Sequence, residues 1–158
     1  MINTNEIKII SEKIVQTFFY AGKESLKIRE NGLITEYKED KTPVTNGDME
    51  INKIVVDRIS ELTPSIPIVS EESSKNKSKT NLRDFWLIDP IDGTYDYVNN
   101  KDEFTINAAL IINKIPLAGI IFAPAKNRMF YSYGMNFAFE LINGEPFKLN
   151  GKKNFNKD

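Results

Sequence analysis

Five apolar runs fill the second half of the chain, at 104–112, 116–123, 129–133, 137–142 and 146–149, and the gaps between them are only three to five residues long. A parallel neighbour needs a crossover of a dozen or more residues, so runs this close can join only as antiparallel neighbours. They are rich in aromatic and β-branched residues, which suit a pleated sheet. Asn143-Gly144 is the pair that a two-residue hairpin prefers, and Asn113-Lys114, 124–127 and 134–136 are the other predicted turns. The second half is therefore predicted to be an antiparallel meander.

The first half reads differently. Asn3 or Thr4 is placed to cap a helix, and Ile7, Ile10, Ile14, Phe18 and Ala21 then recur at three- and four-residue spacing. That helix is predicted to end between residues 22 and 28. Asn31-Gly32 marks a turn, 33–37 reads as a short strand, and 38–48 as a polar loop. Ile51, Ile54, Val55, Ile59 and Leu62 give a second helix its apolar face, and Pro64 stops it. Short strands follow at 66–69 and 85–88. Helices in front and strands behind predict an α+β fold, two N-terminal helices packed on a mostly antiparallel sheet. The expected organisation is one domain over 1–150 and a tail at 151–158, with no internal repeat. The lysine-rich stretch 73–82 is expected to be a mobile loop.

Composition narrows the chemistry. The chain has no histidine and no cysteine. That excludes histidine bases, thiolate nucleophiles, disulfides and most zinc and iron sites. Catalysis would have to use carboxylates, lysine, hydroxyls or metals held by oxygen. A net charge of −1 gives no electrostatic case for nucleic acid as a partner. No apolar run approaches membrane-span length and the N-terminus is not a signal peptide, so a cytoplasmic location is expected.

Three polar clusters can carry chemistry. In Trp86-Leu87-Ile88-Asp89-Pro90-Ile91-Asp92-Gly93-Thr94 a buried strand ends in two carboxylates and turns through glycine into a helix that begins near Gly93 and Thr94. Carboxylates next to a helix N-terminus can hold a hard cation and a phosphate together. The plainer alternative is that Asp89 opens a turn and Asp92 caps the helix. In Pro43-Val44-Thr45-Asn46-Gly47-Asp48, Thr45 and Asp48 have capping-box spacing, so Asp48 is either a cap or a ligand. In Ser70-Glu71-Glu72-Ser73 two acids follow a strand, as ligands or as solvated loop charge. Tyr95 and Tyr97 read as packing residues.

Together the three clusters resemble the inositol monophosphatase superfamily of lithium-sensitive, magnesium-dependent phosphatases. Lys38-x-Asp40-x-x-Pro43-Val44-Thr45 and the runs 103–111 and 119–125 are similar to the CysQ-type 3'(2'),5'-bisphosphate nucleotidase branch. The resemblance implies a Mg²⁺ cofactor, with Glu71, Asp89, Asp92 and the Ile91 carbonyl as metal ligands. It implies Asp48, Glu72 and Thr94 as catalytic residues around the attacking water, and Gly93, Thr94 and Lys38 as contacts to the substrate. The implied reaction is hydrolysis of a phosphate monoester, such as 3'-phosphoadenosine 5'-phosphate to AMP and phosphate, with inositol monophosphate as the alternative substrate. Members of the superfamily are usually longer and carry a second α/β half with a further metal-binding Asp. This chain resembles the N-terminal half, and the C-terminal half is expected to be absent. Three states follow as alternatives: a weakly active phosphatase, a non-catalytic remnant serving as an interaction domain, or one half of a split enzyme. A lone half would expose apolar surface, so a homo-oligomer or a complementing C-terminal chain is expected. Asp102 stands where the nucleotidase branch commonly has glycine.

Overall fold

The computed structural model describes residues 3–73, 81–134 and 136–150. The first helix, α1 (Thr4–Asn31), is started by a reciprocal capping box. Asn3 Oδ1 accepts from the Glu6 amide at 3.0 Å, and Glu6 Oε2 accepts from the Asn3 amide at 2.8 Å. Its buried face carries Ile7, Ile14, Val15, Phe18 and Ala21. The helix does not end between residues 22 and 28. It runs through Gly22 because that glycine lets the helix press on the sheet, where a Cβ would overlap the Phe122 ring. Gly32, at φ +100°, ends it.

β1 (Thr35–Tyr37) and β2 (Pro43–Thr45) form an antiparallel hairpin. Part of the predicted 38–48 loop is therefore strand, because Pro43 to Thr45 gain a partner only across the turn. α2 (Asn46–Leu62) starts from Thr45, whose side chain forms a full capping box with Asp48.

The remaining strands are β3 (Ile68–Ser70), β4 (Phe85–Asp92), β5 (Thr105–Ile112), β6 (Ile115–Ala123), β7 (Arg128–Tyr133), β8 (Ala138–Ile142) and β9 (Glu145–Lys148). They lie side by side in chain order in one sheet, with a short helix, α3 (Thr94–Val98), between β4 and β5. Every pair from β4 to β9 is antiparallel, as predicted for the runs that form β5 to β9. Both two-residue turns, Asn113-Lys114 and Asn143-Gly144, have positive φ at each position, the conformation that matches hairpin twist. β3 pairs with β4 in parallel. The predicted tail and most of the 73–82 stretch lie outside the described residues.

α1 and α2 cover one face of the sheet. There Trp86, Ile88, Leu110, Ile106, Ile120, Phe122 and Met129 are buried against them. The indole N–H of Trp86 donates to Thr63 Oγ1 at 3.0 Å, which removes the cost of burying that donor. Among the described residues, no helix covers the other face over Leu87, Ala109, Gly119, Ile121 and Phe130, which line a hollow of about 400 Å³. Leu87 and Ile121 are each about half exposed there. No helix among the described residues is long and apolar enough to cross a membrane.

Candidate active site

β4 carries the central acids, and an irregularity decides where they point. Asp89 pairs with Asn107 and Asp92 with Thr105, so three steps along β4 match two along β5. The extra residue is a bulge at Pro90-Ile91, both buried. Proline is tolerated at such a point because the ladder is already broken. In an unbroken strand, residues three apart lie on opposite faces. The bulge instead puts Asp89 and Asp92 on the same face, away from the helices. Asn107 fixes the second of them, since its Nδ2 donates to Asp92 Oδ2 at 3.1 Å.

Gly93 follows at φ +93° and starts α3. Its conformation favours glycine, and so does its neighbour, because a Cβ would sit 2.7 Å from the Glu103 carbonyl oxygen. The backbone thereby turns sharply enough to bring the Thr94 hydroxyl 3.0 Å from Asp48 Oδ1 and 3.0 Å from the Ile91 carbonyl oxygen. Asp48 is buried. Its Oδ2 accepts from the Thr45 amide at 2.8 Å and from the Thr45 hydroxyl at 2.5 Å. Asp48 thus caps α2 through one oxygen, as the capping-box spacing predicts, and accepts from Thr94 through the other.

The parallel pairing of β3 with β4 delivers the glutamates. Ser70 lies opposite Ile88, and the Glu71 amide donates to the Ile88 carbonyl at 3.1 Å. Glu71 therefore stands beside Asp89. Lys38, from the turn between β1 and β2, reaches over both glutamates, with Nζ 3.1 Å from Glu71 Oε1 and 2.8 Å from Glu72 Oε1. Partial burial alone would lower the Lys38 pKa, but the hydrogen bonds and charges of Glu72 and Glu71 raise it. The acid, hydroxyl and lysine positions named from the sequence (Lys38, Asp48, Glu71, Glu72, Asp89, Asp92, Thr94) line the same end of the sheet, with Gly93 and the Ile91 carbonyl between them.

Negative charge is crowded around Asp89. Asp89 Oδ1 is buried with no hydrogen-bond partner among the described residues. Burial, then the charges of Glu71 and Asp92, a hydrogen bond with Glu71 and the charge of Asp48 push its carboxyl up to about 7. A divalent cation is the group that would relieve this crowding, and an all-oxygen donor set suits Mg²⁺. As arranged, no three carboxylates among the described residues converge on one point. The ammonium of Lys38 lies across two of them instead.

Sequence reading missed Asn107, and its signal was a single amide in an otherwise apolar strand. Tyr97 packs as expected, buried with its hydroxyl donating to the Ser25 carbonyl at 2.6 Å. Tyr95 does not pack and is two-thirds exposed, because the one-turn helix α3 leaves that side facing solvent. Asp102 pairs with Arg29 at 3.6 Å, and Arg29 also donates to the Lys101 carbonyl at 2.6 Å, which ties the segment after α3 to α1.

Comparison with known proteins gives the family and the fold. Residues 4–158 match the sequence profile of the Inositol monophosphatase family. The 3'(2'),5'-bisphosphate nucleotidase CysQ of Buchnera aphidicola is 34% identical over 142 residues, covering 88% of this chain and 54% of that protein. The protein of the same description from Haemophilus influenzae is 28% identical over 134 residues, covering 84% and 49%. The chain spans about half the length of the curated relatives it matches. Among solved structures, a Thermotoga maritima IMPase superposes with a TM-score of 0.72 at 28% identity, over 87% of this chain and 52% of that one. An IMPase/NADP phosphatase complexed with NADP and Ca²⁺ superposes with a TM-score of 0.78 at 22% identity, over 90% and 53%, which speaks to fold alone.

Proposed function

Since the chain belongs to the inositol monophosphatase family, we propose that it carries the catalytic acids of a Mg²⁺-dependent phosphate monoester hydrolase of the 3'(2'),5'-bisphosphate nucleotidase type. The observation that carries this reading is the bulge in β4, which sets Asp89 and Asp92 on one face beside Glu71, with Asp89 Oδ1 buried and unpaired among the described residues. Glu71, Asp89, Asp92 and the Ile91 carbonyl would hold the metal. Bound there, it would supply Lewis-acid stabilisation of charge on the phosphoryl oxygens. The Gly93 and Thr94 amides, at the start of α3, orient the phosphate. Thr94 and Glu72 orient the attacking water. Asp48 Oδ1 receives the Thr94 hydroxyl proton, which leaves the Thr94 oxygen free to accept a proton from that water. The substrate class follows from the CysQ relatives, with inositol monophosphate as the alternative.

The relatives contain about as much chain again. We assign the open face at Leu87, Ala109, Ile121 and Phe130 to polypeptide that completes the pocket. The same apolar face favours a second reading, a non-catalytic interaction domain. A cytoplasmic setting is consistent with both.

The test is phosphate release from 3'-phosphoadenosine 5'-phosphate and from inositol monophosphate, with and without Mg²⁺, for the unsubstituted chain and for Asp92→Asn. Mg²⁺-dependent release that the substitution abolishes supports the hydrolase. No release from a folded chain favours the interaction domain.

A further inference from the structure

A five-residue helix cannot hold its own place. α3 closes little more than one turn, and a helix so short is unstable without tertiary contacts. Its first turn must nevertheless stay within hydrogen-bond reach of α2 for Thr94 to meet Asp48. The side chain that fastens α3 is Tyr97, which is fully buried. Its hydroxyl donates to the Ser25 carbonyl of α1 at 2.6 Å. The same end of the ring lies against the first turn of α2, where a Cβ on Gly47 would come 2.7 Å from the hydroxyl oxygen and 2.8 Å from Cε1. Gly47 is the residue before Asp48. Burial, then the charge of Asp48, raises the Tyr97 pKa against the opposing charge of Arg29, so the phenol remains a donor.

Arg29 backs the ring from α1. Its guanidinium lies 5.9 Å from the centre of the Tyr97 ring and 5.2 Å from that of Phe104, and it donates to the Lys101 carbonyl beyond the end of α3. Phe104 packs on Tyr97 with ring centres 4.8 Å apart, and its Cα would lie 3.4 Å from a Cβ on Gly93, at the start of α3. Both ends of α3 are thus braced by contacts that lead back to Ser25 and Arg29 in the C-terminal turns of α1. We infer that Tyr97 is a positioning residue for the Asp48–Thr94 pair: its phenol, seated on α1, sets the gap between the first turn of α2 and the first turn of α3. Fully buried, it acts only through those two residues. Its bearing on phosphate release rests on the roles proposed above for Asp48 and Thr94.

The test is a double-substitution cycle on four chains: unsubstituted, Tyr97→Phe, Thr94→Val and the two combined. Tyr97→Phe keeps the ring that fills the core and removes only the hydroxyl. Thr94→Val should lower Tm by about 2–4 °C in the unsubstituted chain. In the Tyr97→Phe chain it should lower Tm by less than half as much, because the bond to Asp48 is already weakened there. Equal losses in the two backgrounds would overturn the inference and leave Tyr97 an ordinary packing residue. Phosphate release from 3'-phosphoadenosine 5'-phosphate with Mg²⁺ is then measured on the same chains. Tyr97→Phe should lower it about tenfold by itself and not further when Thr94 is already valine. The same fold-loss in both backgrounds would also overturn the inference. Absence of release from the unsubstituted chain would overturn the hydrolase reading, and the thermal cycle would then decide the inference alone.

Discussion

The Thr94 hydroxyl lies 3.0 Å from Oδ1 of Asp48, a contact that spans 46 residues of sequence. It joins the first turn of α2 to the first turn of α3, so two helix starts share one hydrogen bond. Thr94→Val keeps the shape and removes the hydroxyl. The stability cost should be about 1 kcal/mol, the net worth of one hydrogen bond. Phosphate release should fall about 100-fold if the hydroxyl mediates proton transfer. Thr94→Ser should restore most of it. Denaturant unfolding and a phosphate assay on the same preparations separate the two effects.

Asp89 should behave as a residue held at the expense of stability. Its carboxyl is crowded by Glu71, Asp92 and Asp48, and one oxygen has no partner among the described residues. Asp89→Asn removes the charge, so without Mg²⁺ the variant should be more stable by about 1 kcal/mol. That corresponds to a rise in Tm of about 2–4 °C for a domain of this size. Adding Mg²⁺ should stabilise the unsubstituted chain and not the variant. A thermal melt with and without Mg²⁺ checks both. A variant that melts lower than the parent without metal would contradict the crowding argument.

Gly93→Ala meets two obstacles at once, φ +93° and the Glu103 carbonyl 2.7 Å from the new Cβ. The loss should be about 2 kcal/mol or more. Gly32→Ala is the control, since Gly32 also has positive φ (+100°) but nothing within 4 Å. It should cost about 1 kcal/mol through backbone strain alone. Urea unfolding of both variants isolates the steric part.

Thr63→Val should orphan the Trp86 indole N–H inside the core. Leaving a buried donor unpaired costs about 1–3 kcal/mol. Trp86 is the only tryptophan, so its fluorescence reports the local change without ambiguity.

The open face of the sheet should make the chain self-associate. Sedimentation should show mass rising with concentration, and Ile121→Lys should reduce it, because Ile121 is half exposed at the centre of that face. A monodisperse monomer across the concentration range would rule out the second copy as its cover.

Local signals are legible in the order of the residues. The Asn3 cap, the capping box at Thr45/Asp48, the apolar periodicity of both helices, and the Asn143-Gly144 turn each depend on residues a few positions apart. The antiparallel order of the strands from β5 to β9 follows from loop lengths alone. What escapes is non-local. Pro43 to Thr45 reads as loop because a three-residue strand exists only through its partner β1. α1 overruns its predicted end because Gly22 answers to Phe122, a hundred residues downstream. The parallel pairing that sets Glu71 beside Asp89 spans a segment with no periodic pattern. The Lys38 ion pairs with Glu71 and Glu72 connect residues 33 and 34 positions apart, and no spacing rule reaches that far.

The bulge at Pro90-Ile91 makes the site a matter of parity. Upstream of it, even-numbered residues Trp86, Ile88 and Pro90 face the helices, and at Ile91 the count changes to odd. Straightened at its full length, with no bulge, the strand would put Asp89 and Asp92 on opposite faces and turn Asp92 inward, toward the helices. An unpaired carboxylate there would cost several kcal/mol. The burial of that charge is what forbids the strand from running straight, and it keeps the irregularity at Pro90-Ile91 in place.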